Sequence, residues 1–475
     1  NQDDPQIGEL DDEKPNQDDP YMSMKDVSQQ SSLSTNTLIF SGICAMCIMA
    51  SGGLILGVGP FIERLIADGY FEDRCDPGES GCSEQYDAIS VIFNGGFQMM
   101  TWGSCIAGIL LNVWGPRVNA TLGLTILTVG CFILSMARTE DGPYVFMMGY
   151  GFIGIGGNFN WISSFHYVNL FPKNAIPVAI AIFSGVFNVS GLVFILLNIP
   201  GLTIKKFFTG YTLLGLFLTM LVAIVTPNLP LSPDKQYKLS VPSLRHVNCA
   251  AFKDLLKPEI IAAVTEKRWI WFSILFSWTT MAGVVIGGLV NNLISSKTDD
   301  EHTIHIFNDY VYPALGSSTF IFTPFVGKLI NQSGFHIPML LLVIITQMTI
   351  VLCWAPTVES QYVMLICFNL IQAFAYTMQF AYIQLTYPAN FYGPLIAAII
   401  AAQGLVGLIA WPGLSPNPFG PTAFTPVLLI LLIPSFVLYY APYQQYPHDK
   451  EQLGPRKMKR LDDSSDSLEA SSMHL

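Results

Sequence analysis

The chain has 475 residues, 51% of them hydrophobic and only 12% charged, whereas a soluble globular chain carries about 25% charged residues. The formal net charge of -11 sits largely in an acidic N-terminal stretch (Asp3, Asp4, Glu9, Asp11, Asp12, Glu13, Asp18, Asp19) and a Ser/Asp-rich C-terminal one (Asp462, Asp463, Asp466, Glu469). It therefore identifies no charged ligand, and no nucleic-acid partner is expected. Lys, Arg, Asp and Glu almost vanish from twelve apolar segments, each near the roughly 20 residues that cross a bilayer as a helix. A charge at the centre of such a segment costs about 2.5–3.5 kcal/mol, so this pattern excludes a soluble fold and predicts an all-α integral membrane protein.

In chain order, residues 1–36 read as a disordered acidic tail. The chain starts at Asn1 rather than Met, and the first apolar run, from near Leu38, reads as a span and not as a cleaved leader. The predicted spans are 38–62, 88–113, 118–137, 144–169, 175–198, 209–226, 269–295, 306–330, 337–355, 361–386, 393–412 and 424–440, the last short and containing Pro434. The longest connection, 227–267, separates an N-terminal half (37–226) from a C-terminal half (268–441). Within it, 242–264 reads as an amphipathic helix at the membrane surface. Residues 442–475 read as a second disordered tail.

Basic residues orient the chain. With both termini cytosolic, six of the 23 Lys and Arg (Arg64, Arg74, Arg138, Lys205, Lys206, Lys297) face the exterior and the other 17 the cytosol. The plasma membrane is expected over an endolysosomal or vacuolar one. Cys75 and Cys82 share the first exterior loop, where an oxidising environment would close them into a small disulfide loop; two free thiols are the alternative. No spacing of Cys, His, Asp or Glu reads as a metal site, and no cofactor is expected.

The chain repeats itself. Gly108-x-x-x-Asn112-x-x-Gly115-Pro-Arg117 follows span 2, and Gly327-x-x-x-Asn331-x-x-Gly334 follows span 8, 219 residues later. Phe171-Pro-Lys-Asn174 follows span 4, and Tyr387-Pro-Ala-Asn390 follows span 10, 216 residues later. Two matched pairs, in one order and at nearly one offset, predict duplicated six-helix halves related by an axis along the membrane normal. That architecture places a substrate between the halves near mid-membrane.

Gly108 to Arg117 resembles the signature motif of the major facilitator superfamily, with Asn112 where the family usually has Asp; Asn331 makes the same departure. Within the superfamily the chain most resembles solute carrier family 43, which holds sodium-independent L-type amino-acid transporters and an equilibrative nucleobase transporter. The segments that carry this are span 1, Tyr70–Cys75, Trp114–Arg117 and Gly154–Asn174. Span 1 departs at Ala50-Ser51-Gly52-Gly53, where the family leads one to expect an Asn. The resemblance implies the twelve-helix major facilitator fold, a cavity lined by spans 1, 4, 7 and 10, and a gating role for Gly108, Asn112, Gly115, Arg117, Gly327, Asn331 and Gly334. The family's Asp latches the halves on the cytosolic side, and Asn keeps the hydrogen bonding without the charge.

Polar residues inside membrane helices are costly and tend to be functional. In span 10, Asn369, Gln372, Tyr376 and Gln379 recur on one helical face; in span 4, Asn160, Ser164 and Tyr167 make a similar stripe, with Asn158 and Ser163 beside it. The 216 offset pairs Asn160 with Tyr376 and Ser163 with Gln379. Substrate contacts are therefore expected from Asn160, Ser163, Ser164, Gln372, Tyr376 and Gln379, with free backbone amides at Gly52 and Gly53 available to a carboxylate. Interhelical glue is the competing reading. Asn94, Gln98, Asn188 and Gln403 stand as further candidates, Trp161 and Trp278 as lining or packing, and His166 as a hydrogen-bonded structural histidine.

No cluster of Asp, His, Ser or Cys lies at depth, so an enzyme is not expected. The expected function is facilitative uniport of a neutral or zwitterionic amino acid by a monomer in contact with lipid. The alternatives are a carrier of nucleobases or other small neutral solutes, and a non-transporting nutrient sensor on the same fold.

Overall fold

The computed structural model describes residues 35–78, 82–172, 175–227, 257–298, 300–388, 391–410 and 424–451, all within one unit, Leu33–Leu475. Most of both tails, and most of the central connection with the greater part of the 242–264 helix, lie outside the described residues.

Among the described residues, twelve helical spans form two halves of six. Span 1 is Thr35–Ser51, a 3-10 turn at Leu54–Leu56, and Val58–Ala67. Spans 2 and 3 are the arms of Ser83–Met136, broken where Gly115 takes φ +80. Span 4 is Pro143–Ser164 with the 3-10 segment Phe165–Leu170, and span 5 is Ile176–Val189 with Ser190–Asn198. Span 6 is Ile204–Val225. A short helix, Pro258–Thr265, precedes span 7, Lys267–Ser295. Span 8 runs from Glu301–Ile306 through a π-helical turn, Phe307–Val311, to Tyr312–Ser317 and Thr319–Ser333. Spans 9, 10 and 11 are His336–Trp354, Val358–Thr386 and Tyr392–Ala410, and span 12 begins at Phe424.

Lipid accounts for the outer surface. Leu213, Phe217, Met220 and Ile224 of span 6 are 57–66% exposed along one stripe, an arrangement suited to hydrocarbon and unsuited to water.

Both motif turns use glycine for the same reason. Gly115 and Gly334, 219 residues apart, adopt φ +80 and +73, a region that costs other residues a steric penalty. The motif glycines also set the seams between halves. A Cβ on Gly393 of span 11 would lie 2.4 Å from the Gly108 carbonyl of span 2, and one on Gly327 of span 8 would lie 2.7 Å from the Pro177 carbonyl of span 5. The face bearing these turns is termed the motif side, and the opposite face, where Cys75 and Cys82 are joined with Cα atoms 5.7 Å apart, the loop side.

Span 1 is not a continuous helix. It unwinds at Gly52-Gly53, directly against Ser190 and Gly191, where span 5 tightens to 3-10 geometry. Backbone groups freed inside a membrane need partners. Tyr211 donates to the Ala50 carbonyl at 2.7 Å, Tyr150 to the Ile55 carbonyl at 2.6 Å, and Gly53 N–H to Ser190 Oγ at 2.5 Å.

Several boundaries differ from expectation: span 1 runs to Ala67, not 62, span 2 starts at Ser83, not 88, and span 6 at Ile204, not 209. Span 8 starts at Glu301, not 306, and takes a π turn just before Pro313, which has no amide hydrogen to give an α-helical ladder. The C-terminal tail does not begin at 442, because residues 440–451 are helical. Asp449, 1% exposed, ties this segment to span 9. Its Oδ2 accepts from Phe335 N–H at 2.7 Å, His336 N–H at 2.6 Å and His336 Nδ1 at 2.8 Å, and its Oδ1 from Gln445 at 2.9 Å. The carboxylate thereby caps the start of span 9.

Candidate functional site between the halves

Spans 4 and 10 meet through aromatic rings. Trp161 stacks on Phe187 of span 5 with centroids 3.9 Å apart, and meets Tyr376 and Phe380 of span 10 edge-on at 5.8 and 4.6 Å. Phe165, one turn further toward the motif side, stacks on Phe380 at 4.2 Å. The Trp161 indole N–H donates to the Phe183 carbonyl at 3.3 Å, which fixes the ring in place.

Beside this wall lies a carboxamide relay. Gln403 Nε2 of span 11 donates to Gln379 Oε1 of span 10 at 3.2 Å and to Thr280 Oγ1 of span 7 at 3.3 Å. Gln98, Thr280, Gln372, Tyr376 and Gln403 are half-buried, while Gln379 is 4% exposed. In span 4, Asn160 donates to Ser51 Oγ of span 1 at 2.9 Å, and Ser164 donates to the Asn160 carbonyl at 2.8 Å. No Asp, Glu, Lys or Arg belongs to either group, so the middle of the interface offers amides, hydroxyls and aromatic faces.

The halves are latched on the motif side. Asn112 Oδ1 accepts from Gly393 N–H at 3.3 Å, and Gln384 donates to Asn169 Oδ1 at 2.7 Å. Asn thus makes a contact across the halves without a charge. Arg117 donates to the Ala223 carbonyl at the end of span 6. Its repeat counterpart, by the 219 offset, is His336, which reaches Asp449 at the end of span 12.

Several expected site residues are occupied elsewhere. Ser163 is fully buried against Asn119 of span 3, which donates to its Oγ at 3.0 Å; it faces its own half and does not meet Gln379. Gly52 and Gly53 are buried, and their amides are bound to the Ile48 carbonyl and Ser190 Oγ. They offer no free amides, because closing the helix break consumes them. Asn369 accepts from Thr319 of span 8 at 3.0 Å and glues that pair. Trp278 donates to the Leu431 carbonyl of span 12 at 3.1 Å. His166 is not hydrogen-bonded through its ring: Nδ1 and Nε2 are both buried without a partner. Thr280 was absent from the sequence-based candidates; a hydroxyl at mid-depth in span 7 is its only signal.

Comparison with known proteins agrees with this architecture. The family model of the Major Facilitator Superfamily matches residues 41–411. "Aromatic and large neutral amino acid transporter 5-3" of Toxoplasma gondii is 22% identical over 402 residues, covering 79% of this chain and 77% of that protein. "Protein FMP42" of Saccharomyces cerevisiae is 29% identical over 220 residues; the match spans only 42% of its length and 43% of this chain. Among solved structures, a double-Trp mutant of XylE superposes with a TM-score of 0.63 at 11% identity, covering 87% of this chain and 96% of XylE. XylE bound to 6-bromo-6-deoxy-D-glucose, a proton:xylose symporter, gives 0.56 at 10% identity, covering 86% and 94%.

Proposed function

The chain belongs to the major facilitator superfamily, and we propose that it is a uniporter of neutral amino acids, with large apolar or aromatic side chains favoured. The observation that carries this reading is the uncharged composition of the site between the halves. A zwitterion can be met by the Gln379–Gln403–Thr280 relay, by Tyr376 and by Gln372, and its side chain by the Trp161, Phe187 and Phe380 wall. A substrate with fixed net charge would lack a counter-ion there, and desolvating it unpaired is costly. The Toxoplasma relative, by its name, carries the same chemical class.

In the proposed cycle the halves rock about the site. The Gly108–Gly393 and Gly327–Pro177 seams, with the Asn112 and Gln384 bonds, close the motif side, which the basic residues assign to the cytosol. Separating them opens it. Among the described residues of the site between the halves, no carboxylate is available to bias the two states by protonation, so net flux follows the substrate gradient. The two amide side chains can also read the polar edge of a nucleobase, and this is the rival reading. Uptake of radiolabelled phenylalanine, leucine, arginine and adenine into proteoliposomes separates them. We expect saturable phenylalanine and leucine uptake and no arginine uptake; adenine uptake alone would replace amino acids by nucleobases.

A further inference from the structure

His166 lies in the 3-10 segment that ends span 4 on the motif side. It is 6% exposed, and neither ring nitrogen has a hydrogen-bond partner. Its ring packs edge-on against Tyr392, centroids 5.1 Å apart. Tyr392 opens span 11 in the other half, is 1% exposed, and also has an unpartnered hydroxyl. Asn169 joins the same seam, donating to the His166 carbonyl at 3.2 Å while accepting from Gln384, whose own Oε1 is buried without a partner. Buried polar atoms are nearly always satisfied in folded proteins, and here several unsatisfied ones gather where the halves touch.

Of these groups only His166 titrates near neutral pH. The neighbouring Tyr167 donates to the Pro227 carbonyl at 3.1 Å. The helices Pro143–Ser164, Ile176–Val189 and Tyr392–Ala410 carry no Asp, Glu, Lys or Arg; of the helices packed on them, Ser83–Met136 brings Arg117, bound to the Ala223 carbonyl, and Lys267–Ser295 brings Arg268, already paired with Glu266. An imidazolium in this seam would be buried without a counter-ion, which folded proteins avoid. Once the halves part, the same ring meets water and takes a proton near the ordinary histidine value of about 6.5.

We propose that His166 is a proton-binding site on the motif side, empty while the halves are closed there and filled when they open. This rests on the alternating-access reading above. The sign follows from linkage: the open state binds more protons, so acid on the motif side holds the protein open to that side. For one group titrating near 6.5, lowering the pH from 7.5 to 5.5 multiplies the open-to-closed ratio by about ten. The proton must leave to the compartment it came from before the seam recloses. None is carried across, so this site modulates uniport without driving it.

The test is electron–electron distance measurement between spin labels on Ile224 and Lys328 of the full chain in nanodiscs, without substrate. Both positions are exposed, lie toward the motif-side ends of spans 6 and 8, and belong to different halves. We expect the population with the longer separation to gain about tenfold over the shorter between pH 7.5 and 5.5. His166→Gln, or His166→Asn if the glutamine variant does not fold, should abolish this response, and Tyr392→Phe should keep it. A wild-type ratio indifferent to pH, or a histidine-free variant that still follows pH, overturns the proposal. Because no substrate enters the measurement, its failure is distinct from a failure to transport amino acids.

Discussion

At the scale of single residues, Gln403 holds two other spans at once, and its bonds with Gln379 and Thr280 separate two roles by magnitude. Interhelical bonds in membrane proteins contribute about 0.6 kcal/mol on average, roughly a threefold effect. A polar group that binds substrate and is left without it costs more, because a buried donor or acceptor is stranded. Gln403→Ala and Gln379→Ala are each expected to lower uptake at least tenfold at unchanged surface expression. A threefold loss or less in both would assign them to packing. Asn160→Ala is expected to act in part through Ser51, since the Asn160 amide is already committed to that hydroxyl.

At the scale of elements, the helix ends show how much was legible beforehand. The repeat was readable because turns demand particular residues: Gly115 and Gly334 mark the same left-handed corner, and no side-chain packing is needed to see it. The polar stripes of spans 4 and 10 were readable as spacing. Spacing, however, does not set the rotation of a helix about its axis. Span 4 turns Trp161 and Phe165 toward span 10 and Ser163 toward span 3, which no periodicity distinguishes. Gly52 and Gly53 stood out in span 1 only as a source of free amides; the helix break there, and the loss of those amides, depend on Ser190, which lies 137 residues away. The end of span 12 differs for a similar reason: 440–451 is polar enough to read as tail, and the contacts that tie it down, Asp449 to span 9 and Gln445 to Tyr382 of span 10, are far apart in sequence. Truncation after Glu451 should leave thermal stability in detergent nearly unchanged. Truncation after Tyr440, or Asp449→Ala, should lower the melting temperature measurably, since a buried acceptor of several bonds is worth about 1–3 kcal/mol. Equal melting of all three would show that the contact contributes nothing.

At the scale of the whole molecule, a duplicated fold, an uncharged interface and a seam closed on the motif side come together. The orientation proposed from basic residues is independent of the fold and is checked independently. A glycosylation acceptor engineered near Glu79 should be modified in cells, and one near Lys238 should not; the reverse pattern would invert the protein in its membrane. The central claim is that amino acids cross between the halves with no coupled ion. The most direct measurement is the steady-state concentration of radiolabelled phenylalanine inside proteoliposomes, with and without imposed pH and sodium gradients. Uniport predicts that inside and outside concentrations become equal in every case, the pH on the motif side altering only how fast they do so. Accumulation above the outside concentration that collapses when a gradient is dissipated would contradict it.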